Sequence, residues 1–312
     1  MNAWNNLSLK WKQIVLFLIA GLVPLGIVMV MNNISFNEIR DINASNLQTA
    51  AEEIADKIDR NLFERYGDVQ AFGLNTVLQN RDYWYKSDTP IVTAMNNYVD
   101  TYDIYYLTLL VDLNGNVIAI NSKDQDGSAI RTQNFYNRNF KGASWFQDVV
   151  NKRFYTSQEG NVGGDSDFTG TVIVPLHVNS DVKKSYPGDD GLTLGFAAPV
   201  YDAEGRMVAI WHNYAKFSLV EDIFIDAYRN LKKKGLAGAE LTLLNNQGEV
   251  IIDYDPSYNR GDENHIPHDF NVLFKLNLAE KGVSAAVKSA QKRQSGFEYA
   301  EHARKKIVQA AG

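Results

Sequence analysis

The residues best equipped for chemistry gather in residues 131–170, where Phe135, Tyr136, Phe140, Trp145, Phe146, Phe154, Tyr155 and Phe168 are interrupted by Arg131, Arg138, Asp165 and Asp167. Apolar walls with a few orienting polar groups make a small-molecule pocket. An aromatic pair beside carboxylates suits a cationic or amine-bearing ligand, because a ring face attracts positive charge. Trp211 and Asn213, on a later strand-like run, complete the candidate set. Large apolar residues are also buried for bulk alone. Core packing therefore accounts for any one of these rings, and the pocket is a reading of the segment as a whole.

Other chemistries have less to stand on. His265 and His268, with Asp262, Glu263 and Asp269, could be drawn as a metal site, yet they sit in a loop beside prolines and form no helical ligand pair. The run Asp253-x-Asp255-x-Ser257-x-Asn259 imitates the start of a calcium loop. It has Tyr258 where the loop needs glycine and Asn264 where it needs a closing glutamate. No nucleophile elbow and no phosphate-binding loop occur, and the absence of cysteine excludes thiol catalysis, thiolate metal sites and disulfides. The sequence supports no catalytic, metal or cofactor assignment. A formal net charge of −6 without a basic, aromatic-interleaved stripe argues against nucleic acid.

The element that must place everything else is the run over residues 14–31, eighteen residues without a charge. As a helix it would measure about 27 Å, near the hydrocarbon thickness of a bilayer. Pro24 falls inside it, which a membrane span tolerates and where a kink is expected. A cleaved signal peptide is the competing reading; the run is long for one, and no small-x-small site follows. Lys10 and Lys12 precede the run and only Arg40 follows closely, so the expected topology has a cytoplasmic N-terminus and residues 32–312 outside. A cysteine-free extracytoplasmic region favours a bacterial periplasmic setting.

From Ser35 to about Leu78 no proline occurs, and apolar residues recur at Ile39, Ile42, Leu47, Ala50, Ile54, Ile58, Leu62 and Val69. This spacing predicts one long amphipathic helix. Its stripe needs a partner, either its own domain or the same helix of a second chain, so a homodimer is expected. Gly67 and Gly73 mark a bend or an end. Thr89-Pro90 predicts a helix start, running to about Tyr102. Two strand–turn–strand units follow, LTLLVDLNGNVIAI from Leu107 and LTLLNNQGEVIIDY from Leu241, with PVYDAEGRMVAIWHNY from Pro199 between them. Repetition at this distance indicates duplicated domains rather than a solenoid. Residues 218–234 read as a helix stopped by Gly235, residues 272–293 as another, and Phe297–Tyr299 and Lys306–Ala310 as closing strands.

Together these features resemble the double Cache sensor region of bacterial methyl-accepting chemotaxis proteins. The more specific matches are KGASWFQDV from Lys141, FYTS from Phe154 and LGFAAPVYDAEGRMVAIWHNY from Leu194. The resemblance implies an α+β fold: an N-terminal transmembrane helix, a long membrane-emergent helix, then two PAS-like antiparallel-sheet modules. The implied limits are 1–13 cytoplasmic, 14–31 transmembrane, 35–100 helical lead-in, 101–217 membrane-distal module, 218–235 linker helix and 236–312 membrane-proximal module, the last truncated. It implies a chemoreceptor input region in the inner membrane that binds a small molecule in the distal module and passes a helix shift across the bilayer. The same region on a histidine kinase or diguanylate cyclase is the alternative, and a tethered periplasmic enzyme or structural anchor is a more distant one. Amino-acid-sensing members carry Arg-x-Trp-Tyr at the pocket wall and an aspartate on the last strand. Here the wall reads Ala143-Ser144-Trp145-Phe146 and the strand His212-Asn213-Tyr214, which puts an ordinary amino-acid ligand in question.

Overall fold

The computed structural model describes residues 8–155, 170–256, 262–302 and 305–312. Helix α1 (Leu9–Gly73) joins the two long helical readings into one continuous element that runs through Pro24 and Gly67 and stops at Gly73. It carries a segment long and apolar enough to cross a membrane, none of it buried in the protein. The chain divides into two units, one of residues 56–224 and one of residues 1–55 with 225–312, and α1 and the helix Ser218–Lys233 each contribute to both.

In the unit of residues 56–224, α2 (Pro90–Tyr102) begins where the sequence predicts. The Thr89 hydroxyl accepts from the Val92 N–H, proline occupies the first turn, and Asp103 closes the helix in the left-handed region. Strands β1 (Tyr105–Asp112) and β2 (Val117–Ile120) follow, then the short helix α3 (Ser144–Val150). Next come β3 (Val172–Val178), α4 (Ser180–Ser185), β4 (Leu192–Tyr201) and β5 (Met207–Lys216). They form one antiparallel sheet in the order β2-β1-β5-β4-β3.

The unit's turns share one chemistry. In Asp112-x-x-Gly115, Asp124-x-x-Gly127 and Asp202-x-x-Gly205, the aspartate Oδ1 accepts from the N–H groups two and four residues on, and the glycine N–H donates to the aspartate carbonyl. Each glycine has φ between 75° and 85°, where a side chain is strained. At Gly115 a Cβ would also lie 2.3 Å from the Lys141 nitrogen, so the turn is packed shut against the chain leading into α3.

Both faces of the sheet are covered. One packs on α1 and α2 through Trp211, Phe72 and Tyr98, with Phe72 stacked on Tyr98 at 4.1 Å. There the buried Arg65 pairs with Asp68 at 2.9 Å, and the Tyr105 hydroxyl donates to Asp68 at 2.7 Å, tying α1 to β1. The other face carries the core built from Leu107, Leu109, Val111, Ala197, Ile210 and Tyr214, roofed by Phe135, Phe140, Trp145, Phe146 and Val182.

In the other unit, α5 (Ser218–Lys233) ends as predicted: Gly235 is left-handed at φ 84°, and the Leu236 N–H closes back on the Leu231 carbonyl at 3.0 Å. β6 (Leu241–Leu244) and β7 (Val250–Tyr254) form a hairpin. Its turn, Asn245-x-x-Gly248, repeats the Asp112 turn bond for bond. The helix expected over residues 272–293 is not there. The Phe274 N–H donates to the Val250 carbonyl, the Val250 N–H to the Leu276 carbonyl, and the Leu278 N–H to the Gly248 carbonyl. These bonds to the hairpin, interspersed with isolated turns such as Leu276 N–H to the Val272 carbonyl, take the place of a continuous helix. Helical structure is confined to a turn at Ser284–Ala286 and a wider one at Val287–Gln291. β8 (Gly296–His302) and β9 (Lys305–Ala311) pair as a second hairpin.

Candidate functional site

The candidate site lies on the sheet face turned away from α1 and α2. Residues alternate sides along a strand, so β5 sends Ile210, His212 and Tyr214 to this face and Trp211 and Asn213 to the other. Register sets the neighbours: His212 lies between Leu109 of β1 and Ala197 of β4, and Tyr214 between Leu107 and Gly195.

His212 is the centre. It is 2% exposed, and its ring sits between those of Trp145 and Tyr214, each 4.3 Å away centre to centre. Among the described residues neither ring nitrogen has a hydrogen-bond partner. Burial first, and then the charge of His177, pushes its pKa down to about 3, so the imidazole is neutral. A neutral imidazole offers one donor and one acceptor. Gly195 makes room for it: a Cβ there would stand 2.7 Å from His212 Nε2 and 2.8 Å from Val174 Cβ.

Charge enters from the roof. Arg138 forms an ion pair with Asp181, a largely buried residue in the first turn of α4. The guanidinium lies over the rings of Phe140 (4.6 Å) and Phe135 (5.2 Å), so the aromatic wall already holds a cation, and it is the protein's own. Tyr214 is buried and its phenol is held above its ordinary pKa, first by burial and then by the Asp181 charge. At the far end the Tyr106 hydroxyl donates to Asp189 at 2.8 Å, and the Tyr186 hydroxyl to the Tyr106 carbonyl at 2.6 Å.

Of the residues singled out from the sequence, Trp145, Phe146, Tyr136 and Arg138 reach this region. Tyr136 is half-buried against the core, and its hydroxyl donates to the Lys86 carbonyl. Arg131 is exposed beside the roof. Tyr155 is 56% exposed and stands outside the cluster. Trp211 and Asn213 are fully buried on the opposite face, where the indole N–H donates to the Asn213 Oδ1 at 2.7 Å. Asp165, Asp167 and Phe168 lie outside the described residues. His212, Tyr214 and Asp181 were missed; the parity of β5 carried the signal for the first two, but only register says which parity faces the roof.

Among the described residues no group of His, Asp and Glu is arranged to hold a metal. In the loop before residue 270, Glu263 pairs with Lys232 at 2.5 Å and Asn264 accepts from Arg229 at 2.6 Å, fastening the loop to α5.

Neither a protein-family model nor a curated protein matches the sequence. Solved structures do match the fold. The sensory domain of the Campylobacter jejuni chemoreceptor Tlp3 with isoleucine bound superposes with a TM-score of 0.53 at 7% identity, over 87% of this chain and 88% of that one. The Tlp3 ligand-binding domain in complex with L-norvaline gives 0.55 at 6% identity, over 86% and 85%. The complex with L-valine gives 0.54 at 7%, over 87% and 88%. At such identities the likeness is one of fold. The chain has the α+β fold of chemoreceptor sensory domains, with a long apolar N-terminal helix ahead of antiparallel-sheet modules. This agrees with the double Cache resemblance of its sequence.

Proposed function

We propose that the chain is the sensing part of a membrane-anchored bacterial chemoreceptor that binds a small molecule on the roofed face of the five-stranded sheet. The observation that carries this reading is His212: enclosed, neutral, wedged between two rings, with neither nitrogen partnered among the described residues. Leaving a buried polar group unpaired costs about 1–3 kcal/mol, a cost that a bound ligand or water removes. The fold neighbours are described with amino acids bound, which supports a small organic ligand. An amine-bearing or cationic ligand would take the seat that Arg138 now holds, against Asp181 and the rings of Phe135 and Phe140.

Residues 14–31 then anchor the chain in the inner membrane, with the N-terminus cytoplasmic and the sensing units periplasmic. Ile39 and Ile42 are 59% and 60% exposed, which supports pairing of α1 with a second copy outside the membrane. Ligand binding would favour one packing of the sheet against α1, through the Arg65–Asp68–Tyr105 tie, and move the helix.

The test is a thermal-shift screen of the purified chain in detergent against amino acids, amines, organic acids and purines, repeated with His212→Leu and Trp145→Ala. A hit lost in His212→Leu, in a variant shown to be folded, supports the site. A hit indifferent to both substitutions removes it, and no hit from any class turns the reading towards a sensor of a protein partner.

A further inference from the structure

The cation in the roof of the five-stranded unit is held unevenly. Arg138 follows the short 3-10 turn Gln133–Asn137, where its backbone is extended and its N–H donates to the Phe135 carbonyl. From there the guanidinium reaches Asp181, and its carbon lies 4.6 Å from the centre of the Phe140 ring and 5.2 Å from that of Phe135. The carboxylate and the two rings, whose planes are 18° apart, form a seat for a flat cation. It adjoins the candidate site, since the Phe140 ring lies 5.8 Å from that of Trp145, which lies 4.3 Å from that of His212. The Arg138 side chain is 41% exposed and that of Asp181 10%.

That asymmetry decides which partner can leave. Solvent screens the pair on the arginine side, and a cation–π contact at an exposed site adds little, so the guanidinium is weakly held. The carboxylate is fixed in the protein and largely out of water. Among the described residues Arg138 is its one ion-pair partner, and a buried charge stripped of its counter-charge is strongly destabilising. Arg138 therefore swings out at low cost when another cation takes its place, and at high cost otherwise.

We propose that Arg138 is a built-in competitor for this seat, displaced when a ligand bearing a planar cation, a guanidinium or amidinium group, fills the site. The inference rests on the reading of the roofed face as the ligand site and adds to it the class of ligand and the contact that opposes binding. A planar cation repeats what Arg138 does there: parallel N–H bonds to a carboxylate and a flat approach to a ring. An ammonium brings the charge without the fork. An anion would draw Arg138 away and leave Asp181 bare. The body of the ligand would run past Phe140 towards Trp145 and His212. An internal occupant weakens an external one by the fraction of time that the seat is open, so filling by Arg138 for about nine-tenths of the time costs about tenfold in apparent affinity.

The probe is methylguanidinium chloride, titrated into the full chain in detergent while thermal unfolding is followed, with sodium chloride at matched concentration as the control. Wild type, Arg138→Ala and Arg138→Ala/Asp181→Asn are compared, because a molecule that binds the folded state raises the midpoint in a saturable way. The expected result is a saturable rise in Arg138→Ala at a concentration lower than in wild type by about tenfold or more, and no rise in the double variant. Equal curves for Arg138→Ala and wild type, no rise in Arg138→Ala, or a rise that survives Asp181→Asn overturns the proposal. Arg138→Gln, which keeps a hydrogen-bond donor for Asp181 without the charge, replaces Arg138→Ala if that variant does not fold, and the same outcomes decide. An Asp181-dependent rise without any His212-dependent hit in the ligand screen leaves the displaceable seat standing and removes the sensing site. A His212-dependent hit with equal methylguanidinium curves removes the competitor and leaves the site.

Discussion

The enclosure of His212 makes a quantitative claim about acid. In the unfolded chain its imidazole titrates near 6.5; in the folded protein it takes a proton only near pH 3. Below pH 6.5 the unfolded state therefore binds a proton that the folded state refuses, and stability falls as pH falls. The loss runs from 6.5 down towards 3, at about 1.4 kcal/mol per pH unit. Between about pH 7.5 and about pH 5 it amounts to about 2 kcal/mol, all but a small part of it below pH 6.5. This window lies above the range of ordinary carboxylates, and the other histidines are common to wild type and the His212→Leu variant, so they cancel in the comparison. The assay is urea unfolding of wild type and His212→Leu, followed by tryptophan fluorescence across that range. The difference in unfolding free energy should move by about 2 kcal/mol in favour of the variant on acidification. Parallel pH profiles would refute the reasoning, because they would mean that His212 reaches solvent or has a partner that accommodates its charge.

Two further outcomes follow from packing and exposure. Gly195→Ala should destabilise the five-stranded unit by about 1–3 kcal/mol, since the new Cβ would meet Val174 Cβ at 2.8 Å and His212 Nε2 at 2.7 Å. A Gly195→Ala/Val174→Ala double variant should recover part of that loss in a denaturation cycle, and strict additivity would count against the register of β3 on β4. Ile39→Cys, on the exposed part of α1, should crosslink two chains in membranes under mild oxidation, and recovery of monomer alone would count against pairing through this helix.

Local signals fixed much of this architecture. Eighteen uncharged residues mark the only stretch of the sequence long enough to span a bilayer. Thr89-Pro90 starts a helix because its cap and its first φ angle are written in adjacent residues, and Gly235 stops another because no side chain favours its left-handed backbone. The Asp/Asn-x-x-Gly turns are equally self-contained: the acceptor, the two donors and the permissive glycine all lie within five residues. Aromatic density likewise marked the segment whose Phe135, Phe140, Trp145 and Phe146 cover one face of the sheet. Tertiary structure decided the remainder, for reasons no local window contains. Residues 272–293 read as a helix from the sequence, but the β6–β7 hairpin earlier in the chain offered backbone partners at Gly248 and Val250, and those bonds prevailed. A slip of one residue in register exchanges the two faces of a strand, so the sequence around 211–214 could not say whether Trp211 and Asn213 or His212 and Tyr214 face the aromatic roof. Pairing with Leu109 and Ala197 settled it, and with it the identity of the buried imidazole at the centre of the candidate site.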